Sequence, residues 1–302
     1  MSGLFDLQVN GFAGVDFQRP LGRSDLRGAC EALHAHGTTR ILATFITDRT
    51  DALAQKLAAF EAMRRDDDLI RDTIVGYHLE GPYLSGEPGY RGAHPGELMK
   101  DPDLAEFSRW QDAAGGAIRL VTLAPERNGS AEFIAAVTAR GVRVSLGHTA
   151  ADDREIDAAI RAGATLCTHL GNGCPGDLPR HDNIIHRLLA RDELIACFIP
   201  DGVHLPPFVL RNLFRAKPPD KVLLTTDAMA AAAAPPGRYT LGALEMDVGS
   251  DRIVRMPGAK NFAGSALTLD TGVANAAAWL DLPAERVHEL ASLAPTRALG
   301  FD

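Results

Sequence analysis

The chain has 302 residues, of which 46% are hydrophobic and 23% are charged, and its formal net charge is −8. Such a chain can bury one large core, and its acidic balance disfavours a general nucleic-acid binder, which needs a basic face for phosphates. Its cysteines form no CxxC pair, and it shows neither a leader-like start nor an apolar run of roughly 18 residues. We therefore expect a cytoplasmic protein without disulfides or a membrane span.

Short apolar runs alternate with helical stretches along the chain. The runs that predict strands are residues 4–9, 40–45, 74–79, 118–123, 143–146, 164–170, 195–199 and 222–226. Between them, apolar residues recur at spacings of three and four, as in Leu26, Cys30 and Leu33, which is typical of helices packed on a sheet. Eight strands alternating with helices predict an α/β fold, a (β/α)8 TIM barrel, and we assign residues 1–302 to this single domain.

The segment after the eighth predicted strand is less regular. Residues 230–237 read AAAAAPPG, a composition that fits either a mobile loop beside an active site or plain filler. Residues 238–248 alternate and turn, which predicts a small hairpin. Two helices, over about residues 267–280 and 285–298, are predicted to close the chain.

Polar side chains follow nearly every predicted strand. In chain order they are Gln8, Asn10, Glu80, His148, His169, Asp201, His204 and Asp227. Barrel enzymes place their chemistry at the carboxyl ends of the strands. A structural role would explain any one of these residues, but so many at independent strand ends favour a common site.

One carboxylate and two imidazoles make a ligand set suited to Zn²⁺ or a similar divalent ion. Glu80, His148 and His169 fit that role. Asp227 is then the natural general base for a water molecule and the acid for a departing amine. His204 is suited to donate a hydrogen bond to the oxyanion that forms during amide hydrolysis.

At this point the chain resembles the N-acetylglucosamine-6-phosphate deacetylase family of amidohydrolases. The segments that carry the resemblance are FDLQVNG (5–11), GVDF (14–17), HLEGPY (78–83), GAHP (92–95), GHTA (147–150), THLGN (168–172), DGVH (201–204), TDA (226–228), AGSALT (263–268), AP (294–295) and LG (299–300). They span almost the whole chain in the family's order, and HLEGP is a specific motif.

The resemblance implies that Glu80, His148 and His169 bind one divalent metal ion, with zinc expected and iron, manganese or cobalt as alternatives. It implies that Asp227 is the catalytic acid and base and that the catalytic His204 lies near the scissile carbonyl. Amidohydrolases with two metals carry His-x-His on the first strand. The corresponding residues here, Gln8 and Asn10, bind divalent metals weakly, which favours a single ion.

The resemblance also implies a small-molecule substrate, an amino-sugar phosphate, and deacetylation of N-acetylglucosamine 6-phosphate to glucosamine 6-phosphate and acetate. The residues implied to meet it are His94, Asn172, Gly173, Arg180 and His204, together with Gln8 and Asn10. The arginine fork suits phosphate. In the family it reaches over from a neighbouring subunit, so a homodimer is implied.

The chain departs from the family pattern at three points. Residues 168–174 read THLGNGC and residues 180–183 read RHDN, where the family has Thr-His-x-x-Asn-Ala-Met and Arg-x-Pro-Gly. The sequence also runs only from the first predicted strand to the last helix, so we expect the family's small β-sandwich to be absent. A related amidohydrolase acting on another N-acyl or cyclic amide therefore stays open. A non-catalytic barrel is a third alternative, which the full set of ligand-type residues disfavours.

Overall fold

The structure is a computed structural model that describes residues 3–258 and 263–301. Its strands are β1 (Leu4–Val9), β2 (Gly11–Phe12), β3 (Val15–Asp16), β4 (Thr38–Ile46), β5 (Ile74–Glu80), β6 (Ile118–Leu123), β7 (Arg143–Leu146), β8 (Leu166–Cys167), β9 (Ile195–Phe198), β10 (Val222–Leu224), β11 (Gly237–Leu241), β12 (Leu244–Val248) and β13 (Val254–Arg255). Its α-helices are α1 (Arg23–Ala35), α2 (Thr50–Asp66), α3 (Asp68–Thr73), α4 (Leu104–Ala113), α5 (Ser130–Thr138), α6 (Asp153–Ala162), α7 (Ile184–Leu189), α8 (Pro207–Ala216), α9 (Leu269–Leu280), α10 (Ala284–Leu290) and α11 (Leu293–Leu299).

Eight parallel strands confirm the predicted (β/α)8 barrel. They pair in the order β1, β4, β5, β6, β7, β8, β9 and β10. Between β10 and β1 the barrel is closed mainly by side chains: the carboxylate of Asp6 accepts hydrogen bonds of 2.6 Å from the hydroxyls of Thr225 and Thr226. One parallel bridge between Val9 and Ala228 continues this seam toward the carboxyl ends of the strands.

Three strands have the predicted bounds, and β8 is much shorter than predicted. β1, β6 and β7 have the predicted limits, whereas β8 keeps only two residues of the predicted run 164–170. At its carboxyl side the predicted run was too long because the backbone turns into the left-handed region at His169, where φ is 29°. Such a residue cannot continue a strand.

The segment between β10 and α9 forms a second, smaller sheet. β11 and β12 form the predicted hairpin, and β13 extends it. Neither expectation for the alanine-rich run describes it, because Ala230, Ala231 and Ala232 are at most 2% exposed. Ala230 and Ala231 pack with the small sheet, and Ala232 packs in the main core. The backbone N–H of Ala13 donates to the carbonyl of Ala232; small side chains allow this close approach.

The end of the chain covers the amino-terminal end of the barrel. The predicted helix 285–298 is divided into α10 and α11. The side chains inside this end of the barrel are apolar and include Phe5, Leu7, Leu42, Leu120, Leu166 and Leu223. Ala298 and Leu299 of α11 pack in this cluster, and Phe301 stacks on Phe5 with ring centroids 6.0 Å apart. The end of α11 and Phe301 thus close this end and leave the opposite end for chemistry. Within 3–258 and 263–301, no helix is long and apolar enough to cross a membrane.

Candidate active site

Glu80, His148 and His169 come together at the carboxyl end of the barrel. The Nε2 atom of His169 lies 3.0 Å from Oε1 of Glu80 and 3.1 Å from Nε2 of His148. The distance from Nε2 of His148 to the same carboxylate oxygen is 3.3 Å. All three residues are buried, and they form a group whose ligand atoms could hold a metal ion.

The geometry of this cluster is that of an ion site. Nδ1 of His148 lies 2.8 Å from the carbonyl oxygen of Tyr90, so Nδ1 carries the hydrogen and Nε2 presents its lone pair. That lone pair faces a carboxylate oxygen and a second imidazole nitrogen. Three electron-rich atoms converging in a buried place repel one another unless a cation or a proton lies among them. The residues present therefore fit a bound metal.

The backbone is strained where the site residues lie. His148, His169 and Asp227 have φ values of 51°, 29° and 53°, in the left-handed region that non-glycine residues rarely adopt. All three follow barrel strands. At each of them the left-handed backbone departs from the extended path of the preceding strand.

Two glycines cover the imidazoles. A Cβ atom on Gly173 would lie 3.0 Å from Nδ1 of His148 and 3.1 Å from Cε1 of His169, and one on Gly92 would lie 2.9 Å from Cε1 of His148. Both glycines also have positive φ. The loops after β5 and β8 thus approach the rings closely enough that any side chain at these positions would displace them.

Asp227 lies across the site from these imidazoles. Its Oδ1 accepts hydrogen bonds from the amide of Asn10 at 2.7 Å and from the amide of Gln8 at 3.0 Å. The Gln8 amide also donates to Oε1 of Glu80 at 3.0 Å. Gln8 and Asn10, expected on the substrate side, thus contact the two carboxylates. The Gln8 amide bridges the two carboxylates, and the Asn10 amide adds a second donor to Asp227.

The two carboxylates have opposite pKa shifts. Burial would raise the pKa of Glu80, but hydrogen bonds and charges from His148 and His169 outweigh it and lower that pKa well below its usual value. Burial, reinforced by the charge of Glu80, raises the pKa of Asp227 to about 6. A ligand that stays ionised and an acid that exchanges its proton near neutral pH are the pair that hydrolysis of an amide needs.

His94 lies beside this cluster. Its Nε2 is 3.8 Å from Oε2 of Glu80 and its Nδ1 is 2.9 Å from the hydroxyl of Thr47. Its ring meets that of His148 edge to face, with centroids 4.7 Å apart. Burial, with a contribution from the charge of His148, lowers the pKa of His94 to about 3. His94 is therefore a neutral imidazole that lies beside the predicted ligands.

A layer of hydroxyl groups lies beneath the cluster, and the sequence did not predict it. Nε2 of His78 is 2.7 Å from the hydroxyl of Thr122, which is 2.7 Å from that of Thr168. The hydroxyl of Ser145 lies 2.6 Å from that of Thr168. The only sequence signal was His78 itself, which precedes Glu80 by two residues and so shares its face of β5. The layer separates the polar site from the apolar lower barrel.

Three of the remaining predicted substrate residues, Asn172, Gly173 and Arg180, lie on the loop after β8. The side-chain amide of Asn172 donates to the carbonyl of His169 at 3.3 Å, which leaves Gly173 over the imidazoles. Arg180 is exposed further along the same loop. His204 lies on the neighbouring loop after β9, with its ring held by Asp201.

Comparison with known proteins adds relatives to this geometry. No family model matches the chain. It is 35% identical over 312 residues to N-acetylglucosamine-6-phosphate deacetylase of Rattus norvegicus, covering 99% of this chain and 74% of the rat protein. It is 33% identical over 301 residues to N-acetylgalactosamine-6-phosphate deacetylase of Escherichia coli O157:H7, covering 98% and 77% of the two chains.

A solved structure resembles the fold over nearly the whole chain. It is a mutant N-acetyl-D-glucosamine-6-phosphate deacetylase of Mycobacterium smegmatis in complex with N-acetyl-D-glucosamine-6-phosphate. The TM-score is 0.90 at 34% identity, and the match covers 99% of this chain and 77% of that one.

Proposed function

The chain belongs to the N-acetylglucosamine-6-phosphate deacetylase family, and from this premise we propose that it hydrolyses the acetamide group of an N-acetylated amino-sugar 6-phosphate. The products are acetate and the free amino-sugar phosphate, glucosamine 6-phosphate when the sugar is the gluco isomer. The observation that carries the proposal is the convergence of Glu80, His148 and His169 with Asp227 beside them.

Glu80, His148 and His169 would hold one divalent cation, with zinc the ion best suited to two imidazoles and a carboxylate. Iron, manganese and cobalt are the alternatives. Bound there, the ion polarises a carbonyl oxygen and lowers the pKa of a water molecule. The amides of Gln8 and Asn10, already bonded to carboxylates, support a single ion.

The protein's own residues carry the proton transfers. Asp227 takes a proton from the water molecule while the water oxygen bonds to the acyl carbon. It later gives that proton to the sugar nitrogen as the carbon–nitrogen bond breaks. In the metal-free protein, burial and the charge of Glu80 raise the pKa of Asp227 to about 6, toward the range in which a carboxyl group can both accept and donate a proton. Gln8 and Asn10 donate to one oxygen of Asp227, which leaves the other for the water and the amine.

Two histidines lie near the carboxylates of Glu80 and Asp227. His94 lies 3.8 Å from Glu80, and the charge of His204 acts on Asp227. We assign both to the acyl group, where a ring N–H stabilises the developing oxyanion. Asn172 and Gly173 lie beside the sugar in this assignment.

The phosphate end of the substrate is assigned to Arg180. This residue is exposed, as an arginine donated to a neighbouring subunit would be, and its guanidinium matches phosphate geometry. A homodimer of this single barrel domain is part of the proposal, as is a cytoplasmic location.

The isomer at the sugar's C4 is a second question, because relatives named for the gluco and the galacto substrates are similarly identical to this chain, at 35% and 33%. We propose the gluco isomer, since the rat protein and the M. smegmatis complex both carry that sugar in their names.

The test is acetate release by the metal-loaded protein from N-acetylglucosamine 6-phosphate, its galacto isomer and N-acetylglucosamine without phosphate. We expect the highest kcat/KM for the gluco phosphate and little turnover without the phosphate. A preference for the galacto isomer would overturn the choice of sugar. Turnover of other acyl amides but of neither phosphosugar would overturn the proposed substrate class. No turnover of any amide at full metal occupancy would favour a binding role.

A further inference from the structure

Asp201 holds the residue that we assign to the acyl group. Its Oδ1 accepts the backbone N–H groups of Val203 and His204, each at 2.8 Å. Its Oδ2 lies 2.6 Å from Nδ1 of the His204 ring. One carboxylate therefore fixes both the main chain and the side chain of the same histidine, from a position where only 13% of the aspartate side chain is exposed.

The loop that carries this pair is anchored from outside the site. Gly202 has a φ of 77°, and a Cβ there would lie 3.1 Å from Cη2 of Trp279. The amide of Asn275 donates to the carbonyl of Pro200 at 2.9 Å. A loop packed against α9 in this way keeps the position of Asp201 fixed while substrates enter and leave.

The direction of the hydrogen bond between the two side chains follows from charge. Burial would raise the pKa of Asp201, but the hydrogen bond with His204 and the charge of that ring outweigh it, so the pKa is lowered. An ionised carboxylate can only accept hydrogen bonds. Nδ1 of His204 must therefore carry a hydrogen. Nε2 then carries a hydrogen only when the ring is charged.

We propose that Asp201 is a positioning residue for the hydrolysis: it fixes the Nδ1–H tautomer and the orientation of His204, so that Nε2 is the atom that meets the acyl oxygen. When the ring is charged, Nε2 donates to the oxyanion and the carboxylate behind it stabilises the imidazolium. The role of His204 rests on the proposed function, whereas its tautomer is a property of the protein alone.

The first test is spectroscopic and needs no substrate. In Asp201→Asn, the amide oxygen can still accept the two backbone N–H groups, so the turn is kept, but the amide nitrogen now donates to Nδ1. Imidazole ¹⁵N shifts, assigned by comparison with His204→Asn, should show the hydrogen on Nδ1 in the wild type and on Nε2 in the variant. A hydrogen on Nε2 and none on Nδ1 in the wild type, or no change in the variant, would overturn the proposal.

The second test is a double-mutant cycle on acetate release. Asp201→Asn should lower kcat by roughly 10-fold with little change in KM, because the neutral ring still donates from Nε2 but lacks the charge that strengthens its hydrogen bond to the oxyanion. In a His204→Asn background the same substitution should change kcat by less than about 2-fold, because the histidine ring that Asp201 positions is no longer present. An equal loss in both backgrounds would mean that Asp201 only holds the loop.

Asp103→Asn is the matched control. Asp103 also accepts two backbone N–H groups on one oxygen, from Ala105 at 2.7 Å and Glu106 at 3.0 Å, but it contacts no histidine among the described residues. We expect its kcat and all histidine shifts to stay unchanged. If the wild type deacetylates nothing while the ¹⁵N shifts move as expected, the proposed function fails and the tautomer assignment stands.

Discussion

The two ends of the barrel interior are equally buried and differ in almost everything else. Glu80 at the carboxyl end and Leu120 near the amino end are each 3% exposed. The amino end, called the lower end below, contains apolar side chains in contact with one another. The carboxyl end, called the upper end, holds converging lone pairs and carboxylates. The lower end stabilises the fold, and part of that stability maintains an upper end that would not be favourable by itself.

The contrast extends to individual atoms. Oδ1 of Asn10 and Nδ1 of His169 are buried and have no hydrogen-bond partner among the residues that the structure describes, and His148, His169 and Asp227 have left-handed backbones. Each of these features costs free energy in the folded state. Substitutions at the upper end should therefore change activity more than stability, and substitutions at the lower end should do the reverse.

The largest effect is expected for His148→Ala. Removing one of three converging ligands should abolish metal binding, so metal content and acetate release should both fall below detection. The melting temperature of the metal-free protein should fall only modestly, because the loss of the contacts with Glu80 and the carbonyl of Tyr90 is offset in part by the loss of the close contact with His169. His36→Ala is the control, since His36 contacts Asp270 far from the cluster. Full metal occupancy in His148→Ala would exclude this residue as a ligand.

Asp227→Asn should retain the metal and lose turnover by about 10²- to 10⁴-fold, because an amide cannot take a proton from water. The measurements are kcat at saturating substrate and metal content by mass spectrometry. A kcat within a few-fold of the wild type would remove Asp227 from the mechanism.

The same variant tests the raised pKa of Asp227. In the metal-free protein the folded pKa of Asp227 is about 6, against 3.8 for an ordinary aspartate, so the folded state binds more protons than the unfolded state between these values. This contribution is fully present below the lower value and is lost as pH rises through about 6. The free energy of unfolding of Asp227→Asn, relative to the wild type, should therefore increase over that window; a constant difference would contradict the shift.

Leu223→Ala tests the other end. Leu223 is fully buried in the lower cluster, and truncating such a leucine costs roughly 2–5 kcal/mol of unfolding free energy. Denaturant unfolding measures the loss, and kcat of the folded, metal-loaded protein should stay within about 2-fold. The control is Leu293→Ala, at a site 38% exposed. A large fall in kcat would mean that the two ends are mechanically coupled.

Gly173→Ala sharpens the comparison where the upper end is most tightly packed. The new Cβ would meet both imidazoles at about 3.0 Å in a left-handed backbone, so we expect metal affinity to fall about 10- to 100-fold through displaced rings. Gly176→Ala is the matched control on the same loop, with nothing within 4 Å and no positive φ. Equal affinities of the two variants would show that the glycine does not position the rings.

These features also mark what could be predicted from the sequence. The barrel was predictable because eight apolar runs repeat, and Glu80, His148, His169 and Asp227 were conspicuous because each follows a strand. The roles of Gly92 and Gly173 were not predictable, since a close approach of two loops depends on their paths in space. Gln8 and Asn10 were expected near the substrate, but only the structure shows that they contact Asp227.

Arg180→Ala should have the smallest effect and tests a residue outside both ends. Exposed on the loop after β8, Arg180 contributes to neither the cluster nor the core, so kcat and the melting temperature should stay unchanged. If it binds the phosphate, KM for the phosphosugar should rise about 10-fold, while turnover of the unphosphorylated sugar should not change. Because an arginine from one subunit would serve the site of the next, mixing Arg180→Ala with Asp227→Asn should restore part of the activity. Mixtures no more active than the average of the two variants would place Arg180 in its own subunit's site or at the surface alone.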